Sequence, residues 1–189
     1  MNESSTLDRA DGPFDSDEVA IPENYLDFGC LLLPRPPADV IVKLEVEEGT
    51  SRGIAVTIQF EASSLQLSLF SAPKSSGIWS EVMSQMELSL ANQGAEVARE
   101  AHAFGQSLRV TQLGEDQSKQ DLRFIGVDGP RWLLRGVLSG PAVTDSAEGA
   151  FLESILKATI VRRGGEAMPP RELIALTLPP GVVAPPRSV

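Results

Sequence analysis

The sequence predicts an α+β domain in which a single antiparallel β-sheet is flanked by two long α-helices. Three observations support this fold class. Apolar and polar residues alternate over positions 40–69, which is the period-2 pattern of strands with one face in water. Two later segments repeat apolar residues every three or four positions, as amphipathic helices do. The links between the strands are short, and short links permit only antiparallel pairs.

The first predicted element is a meander of three strands. Val40–Val46 alternates apolar with charged side chains, Ile54–Phe60 repeats the alternation, and Leu65–Leu69 continues it. An amphipathic helix follows, because apolar residues recur every four positions from Ile78 to Leu90. Ser75 or Ser76 is expected to cap its start, and Gly94 to end it in a left-handed conformation.

The later elements complete the predicted sheet. Asp145 and Glu148 are expected to open the second helix as a capping pair. Apolar residues lie on both faces of the later strands, as in a sheet covered on both sides. The predicted strands occupy residues 95–105, 107–114, 121–127, 130–140, 158–163 and 173–178.

Composition divides the 189 residues into three regions. Residues 1–24 carry seven acidic side chains and one arginine, and have too few apolar groups to offset the entropy of ordering. We therefore expect residues 1–24 to be a flexible acidic tail and residues 25–178 to form one domain. The proline-rich residues 179–189 are expected to form an extended tail.

Charge and composition argue against several classes of function. The net charge of −10 disfavours binding to nucleic acid or to an anionic membrane, since both need clustered basic residues. The sequence contains neither a signal peptide nor an apolar run of the ~20 residues that cross a bilayer. Its single cysteine excludes an intramolecular disulfide. These features predict a cytoplasmic protein.

No catalytic or cofactor motif stands out. The patterns GxSxG, GxxxxGK[ST], GxGxxG and HExxH are absent from the sequence. His102 is the only histidine and is expected to face solvent without a metal-binding partner. Cys30 lies in an apolar stretch, which favours a buried thiol with a raised pKa. We expect no catalytic residue, no metal and no organic cofactor.

The stretch VDGPRWLLRG raises the main question about a site. Trp132 is expected to anchor the core, whereas Arg135 interrupts an apolar face in mid-strand. A buried guanidinium needs an acceptor, because an unpaired buried charge is costly. One interpretation is an internal salt bridge with Asp121, Glu148 or Glu153, and the other is a binding residue.

A modestly basic surface is the candidate binding site. Residues 119–171 hold eight basic and six acidic side chains, so this region is positive within an acidic protein. The segment EAMPPRE either wraps the edge of the sheet or offers a rigid ledge to a partner. The acidic N-terminal segment is itself a candidate occupant. The candidate binding residues are Arg131, Arg135, Arg162, Arg163, Met168 and Arg171.

These residues predict a non-enzymatic binding or scaffold module whose partner is a protein or a small anionic ligand. The alternative is a small enzyme that acts on an anionic metabolite. In that case the arginines would stabilise charge, and His102 or a carboxylate would be the base. A deep pocket around Arg135 would favour the enzyme, and a shallow surface the binder. The sequence leaves the oligomeric state open.

Four separated blocks carry a resemblance to a known family. LDFGCLLLP, APKSSGIWSEV, FIGVDGPRWLLRGVLSGPA and RGGEAMPPRE, in this order, resemble an uncharacterised actinobacterial family of unknown function. The resemblance extends from about Tyr25 to Leu178, and it implies no particular activity. The order of elements is also similar to the fold shared by Mog-one and PsbP. That likeness implies a binding or assembly factor, with fold analogy as its only support.

Overall fold

The computed structural model describes residues 9–144 and 146–182, which form two β-sheets and two α-helices. The larger sheet has seven strands in the order β4-β5-β6-β10-β9-β8-β7, and the smaller has four in the order β1-β11-β3-β2. The strands are β1 (Phe14–Asp15), β2 (Tyr25–Asp27), β3 (Leu31–Pro34), β4 (Ile41–Val46), β5 (Gly53–Phe60), β6 (Ser63–Ser71), β7 (Glu96–His102), β8 (Gly105–Leu113), β9 (Lys119–Gly129), β10 (Trp132–Ser139) and β11 (Ile160–Val161). The helices are α1 (Trp79–Asn92) and α2 (Ala147–Ala158).

The predicted fold class is wrong. The protein is mostly β, with 41% of its residues in strands, and it has two sheets rather than one. Its helices are short, with 14 residues in α1 and 12 in α2. The second sheet escaped prediction because its strands have only two to four residues, too few to display a period. One of its pairs, β1 with β11, is parallel and joins segments that are distant in sequence.

The larger sheet is antiparallel throughout and includes the predicted meander β4-β5-β6. β10 lies between β6 and β9, so that Leu134 is opposite Leu69 on one side and Val127 on the other. The short apolar strand β3 is buried at Leu31, Leu32 and Leu33 in the smaller sheet.

Two separate cores lie on the two faces of the larger sheet. On the face that we call the α2 face, α2 and the smaller sheet pack against β5, β6, β9 and β10. Trp132 is 0% exposed in this core, which confirms its predicted role as an anchor. On the opposite face, the α1 face, α1 packs over β7, β8 and β9. Trp79 and Met83 of α1 are buried there.

The first residues of both helices are capped differently from the prediction, whereas Gly94 has the predicted left-handed conformation after α1, with φ +87°. Neither Ser75 nor Ser76 caps α1. The Asp128 carboxylate of β9 instead accepts hydrogen bonds from the backbone amides of Ile78 and Trp79. In α2 the Ser146 hydroxyl is the N-cap and accepts a hydrogen bond from the Gly149 amide. The predicted capping residue Asp145 lies outside the described residues.

Both ends of the described chain pack against the domain. Asp15 is 7% exposed, and its carboxylate accepts a hydrogen bond from Trp132 Nε1 at 2.8 Å. The predicted last strand forms only two isolated bridges, in which Leu173 pairs with Phe70 and Leu176 pairs with Gly53. Residues 1–8 and 183–189 of the two predicted tails lie outside the described residues. The division into tails and domain stays a prediction.

Candidate anion-binding face

Arg135 stands in the middle of β10 and projects onto the α1 face. It is opposite Ser68 of β6 and Gly126 of β9, and its guanidinium lies 5.0 Å from the centre of the Phe70 ring. The side chain is half-buried, and its Nε is buried without a hydrogen-bond partner. Burial lowers the pKa of Arg135 from its ordinary value. An arginine pKa is high enough that the group stays charged at neutral pH.

None of the carboxylates expected to neutralise Arg135 does so. Asp121 binds Arg109 and Thr111, and Glu153 binds His102. Glu148 has a buried carboxylate oxygen, Oε2, without any partner. Across residues 9–144 and 146–182, no hydrogen bond or ion pair reaches the Arg135 guanidinium. The internal salt bridge expected from the sequence is therefore missing in this part of the chain.

The surroundings of Arg135 are rigid on the side of α1. Trp79 lies flat against Gly126, since a Cβ atom at this glycine would be only 2.0 Å from Trp79 Cδ2. The indole Nε1 of Trp79 donates to the Gln106 carbonyl at 2.8 Å. The nearby carboxylate of Asp128 is already bound to the start of α1. On the α1 side, Arg135 is therefore paired with a glycine that the Trp79 indole covers, and the Asp128 carboxylate is bound to the backbone of α1.

Arg171 is hydrogen-bonded to β6, the strand that contains Phe70. Its backbone amide donates to the carbonyl of Ser71 at 2.7 Å, next to Phe70 in the chain. Its guanidinium binds Gln85 Oε1 at 3.0 Å and forms an ion pair with Glu81, both in α1. Because Glu81 is exposed, this ion pair is open to exchange with another anion. The backbone of Arg171 therefore joins β6 one residue beyond Phe70, and its side chain reaches α1.

Polar side chains continue this face across β4, β5 and β6. Glu45 accepts hydrogen bonds from Thr57 Oγ1 at 2.5 Å and from Gln66 Nε2 at 2.7 Å. The nearest described cavity, of about 570 Å³, lies at the end of these strands near Gln59 and Ser139. Arg135 does not line this cavity or the second one, of about 360 Å³, near Tyr25. Neither of these two cavities therefore encloses Arg135.

The other candidate residues lie apart from Arg135 and have partners of their own. Arg162 forms an ion pair with Asp27 at 2.8 Å and also binds the Gly29 carbonyl. Burial acts to raise the pKa of Asp27, but the hydrogen bonds from Arg162 and from the Gly29 amide outweigh it, and the pKa is lowered.

The structure brings Arg131 and Arg163 together. Arg163 is 8% exposed and donates from Nε to the Arg131 carbonyl, while Arg131 donates to the Glu166 carbonyl. Arg131 has φ +64°, the left-handed turn conformation that connects β9 to β10. Met168 is half-buried against the core of the α2 face. These residues brace loops, and they do not form one surface with Arg135.

His102 is not the solvent-facing residue expected from the sequence. Its Nε2 lies 2.8 Å from Glu153 Oε1 of α2, and its ring stacks on Phe104. Its other nitrogen, Nδ1, is buried without a partner. The sequence could not indicate this pair, because Glu153 is 51 residues away in another element. Burial raises the pKa of the Cys30 thiol, as predicted.

A buried arginine on the α2 face also escaped prediction. Arg123 is 8% exposed and binds the Val143 carbonyl, Ser107 Oγ and a carboxylate oxygen of Glu100. All of its partners are within the fold, so Arg123 is a structural arginine. The contrast with Arg135 is direct, because both stand on neighbouring strands of one sheet.

Among the residues that the structure describes, no three histidine, cysteine, aspartate or glutamate side chains are grouped so as to hold a metal ion. In the same part of the chain, neither helix has the length and apolar character needed to cross a bilayer.

Comparison with known proteins places the chain in a family without assigning it an activity. No curated protein matches the sequence. A crystal structure from Bacteroides thetaiotaomicron VPI-5482 is similar at 16% identity and a TM-score of 0.42, over 74% of this chain and 48% of that chain. The actinobacterial source and the likeness to Mog-one and PsbP stay expectations. The family described as "Protein of unknown function (DUF3710)" matches residues 12–184, and the chain belongs to this family.

Proposed function

We propose that the chain is a non-enzymatic binding module whose α1 face holds a carboxylate of a partner protein against Arg135. The observation that carries the proposal is the half-buried guanidinium without a hydrogen bond or ion pair in the described residues. Partial burial of a charge carries a desolvation cost, which a bound anion offsets. The planar guanidinium can bind both oxygens of a carboxylate at once.

The shape of the surface favours an extended acidic segment over a small anion. Small ligands are usually enclosed in concave sites, whereas Arg135 lines neither described cavity. Phe70 offers an apolar contact beside the arginine, and Gln66 offers an amide on the same face of β6. Arg171 supplies a second cation, whose exposed partner Glu81 a ligand carboxylate can replace. A segment with two acidic residues around an apolar one suits this arrangement.

Peptide display tests the proposal directly. Peptides are selected on the immobilised wild-type chain alone. Their affinity is then measured for the wild type and for the Arg135→Met variant, which keeps an unbranched side chain but removes its charge. We expect the selected peptides to be enriched in aspartate and glutamate. Their affinity for Arg135→Met should fall by about 10- to 100-fold, which is the range of a charged hydrogen-bonded pair.

A matched variant distinguishes a specific contact with Arg135 from a general effect of the protein's net charge on peptide binding. Arg99 lies on the same face of the sheet but already has Glu87 as its partner at 2.6 Å. Arg99→Gln removes the same charge from the protein and should leave peptide affinity within about twofold, because a screened, exposed charge contributes little. Arg171→Ala should weaken binding without unfolding the domain. Equal affinity of the peptides for wild type and Arg135→Met would overturn the proposal.

One observation favours the alternative, a small enzyme that acts on an anionic metabolite. His102 and Glu153 form a pair at 2.8 Å, the arrangement by which a carboxylate orients a histidine base. Against it, the second nitrogen of His102 is buried and lines neither described cavity. Turnover of phosphate or carboxylate esters by the wild type, lost in His102→Gln and kept in Arg135→Met, would favour the enzyme.

The remaining parts of the proposal rest on composition. We propose a cytoplasmic location, for which the single cysteine is the support. The acidic balance of the chain disfavours a nucleic-acid partner.

A further inference from the structure

We propose that two copies of this chain associate edge to edge through β4, in an antiparallel pair centred on Leu44. β4 is an outer strand of the larger sheet and pairs with β5 alone among the described strands. No other described strand covers its outer edge, where the backbone amides and carbonyls are a template for another strand. The inference concerns a different surface from the Arg135 site and does not depend on the proposed function.

The side chains of β4 distinguish this edge from the opposite one. Ile41 is 52% exposed and Val46 is 50% exposed, so large apolar groups stand in solvent on an unpaired strand. Soluble proteins usually protect such edges with charges. On the other edge strand, β7, two charged side chains are engaged within the chain: Arg99 binds Glu87 of α1, and Glu100 binds Arg123 of β9.

The charged side chains of β4 favour a second copy of β4 as the partner strand, and they favour one register of the pair. Residues directly opposite each other in an antiparallel pair have their side chains on the same face of the sheet. The two-fold axis between identical strands must therefore lie midway between the two copies of one residue. An axis at Leu44 places Lys43 opposite the partner's Glu45 and Glu45 opposite the partner's Lys43. It also places Val46 opposite the partner's Val42, covering an exposed apolar side chain.

The adjacent registers are disfavoured. An axis at residue 43 brings the two copies of Lys43 face to face, and an axis at residue 45 does the same for Glu45. Like charges directly opposite each other destabilise a strand pair, whereas opposite charges stabilise it. Lys43 has no ion pair among the residues described, so it is free to take this partner. Glu45 is held in place by Thr57 and Gln66, and its oxygens have further acceptor positions.

The size of the contact predicts a reversible dimer. A strand of six residues buries less than the ~1,200 Å² at the lower end of stable interfaces. The dimer should therefore form at micromolar concentrations or higher. Because the two-fold axis is perpendicular to the sheet, both α1 faces point the same way. The two Arg135 side chains would then be roughly 34 Å apart, seven strand spacings of about 4.8 Å.

Sedimentation equilibrium of the full chain from about 10 μM to 1 mM tests the proposal. We expect the mass of the wild type to rise with concentration toward two chains. Lys43→Glu and Glu45→Lys, each alone, should weaken association by about tenfold, because two like-charged pairs then face each other. An equimolar mixture of the two variants should recover it, since both opposed pairs are again oppositely charged.

Two further measurements keep the test decisive. Lys74→Glu makes the same charge change at an exposed position outside the strands and should associate like the wild type. Amide hydrogen exchange should show β4 becoming protected as the concentration rises, while β7 does not. A wild type that stays monomeric at the highest concentration overturns the inference. So does a charge-reversed variant that associates like the wild type, or a mixture that does not recover.

Discussion

Replacing Arg135 by methionine should make the domain more stable, although the substitution removes a polar side chain from its surface. Methionine keeps the unbranched stem against the Phe70 ring and adds a favourable contact between sulfur and the ring. It removes a guanidinium whose Nε is buried without a partner and whose charge has no carboxylate in the described residues. The direction of the change follows from this missing partner.

The magnitude is the difference of two opposing effects. A buried donor without a hydrogen bond costs about 1–3 kcal/mol, and the substitution recovers that cost. The contact between the Arg135 cation and the Phe70 ring, at 5.0 Å, contributes about 0.5–1 kcal/mol and is lost. The free energy of unfolding should therefore rise by about 1 kcal/mol. For a domain of this size the melting temperature should rise by roughly 2–4 °C.

Urea denaturation and calorimetry of the wild type and the variant measure this change. Arg123→Met on the neighbouring strand is the matched control, because it removes a buried guanidinium that has three partners. It should destabilise the domain by about 3–5 kcal/mol, as breaking a buried ionic network does. If Arg135→Met destabilises the domain by more than about 1 kcal/mol, Arg135 has a structural partner, and the proposed binding site loses its basis.

Three further substitutions test other parts of the structure. Gly126→Ala should destabilise the domain by about 1–3 kcal/mol and change Trp79 fluorescence, since the new Cβ overlaps the indole. Gly165→Ala is the control, because its Cβ would lie in open space, and it should have little effect on the unfolding midpoint. Asp128→Ala should cost about 1–2 kcal/mol in urea denaturation and lower the helical circular dichroism, because the start of α1 loses its acceptor. The pKa of Asp27 is lowered from 3.8 in the folded state, so its contribution to stability is complete above pH 3.8 and is lost as the pH falls through the lowered value. In Asp27→Asn, the melting temperature should therefore decrease less steeply as the pH falls through this acidic range. If it decreases as steeply as in the wild type, Arg162 does not lower the pKa of Asp27.

The meander and the first helix were predictable because each depends on a local period. The alternation of apolar and charged residues in β4 and β5 specifies a strand with two different faces, whichever strand it pairs with. The repeat from Ile78 to Leu90 in the same way specifies a helix with one buried face. Trp132 was predictable as a core residue because its position in the strand decides its face.

The second sheet was not predictable from local patterns. β1 and β11 have two residues each and pair over a long separation in sequence, so neither carries a period of its own. The cap of α1 was missed for a similar reason. Two serines precede the helix, but the acceptor is Asp128, which becomes adjacent only when β9 takes its place in the sheet.

The candidate site was likewise predictable from the sequence only in part. The local pattern was enough to predict that Arg135 interrupts an apolar strand face and needs an anion or water. It could not predict that Asp121, Glu148 and Glu153 lie elsewhere, that Arg123 has internal partners or that His102 meets Glu153. The difference arises because a side-chain period is a property of neighbouring residues. The partner of a buried charge depends instead on which distant strands and helices pack together, and no local pattern contains that information.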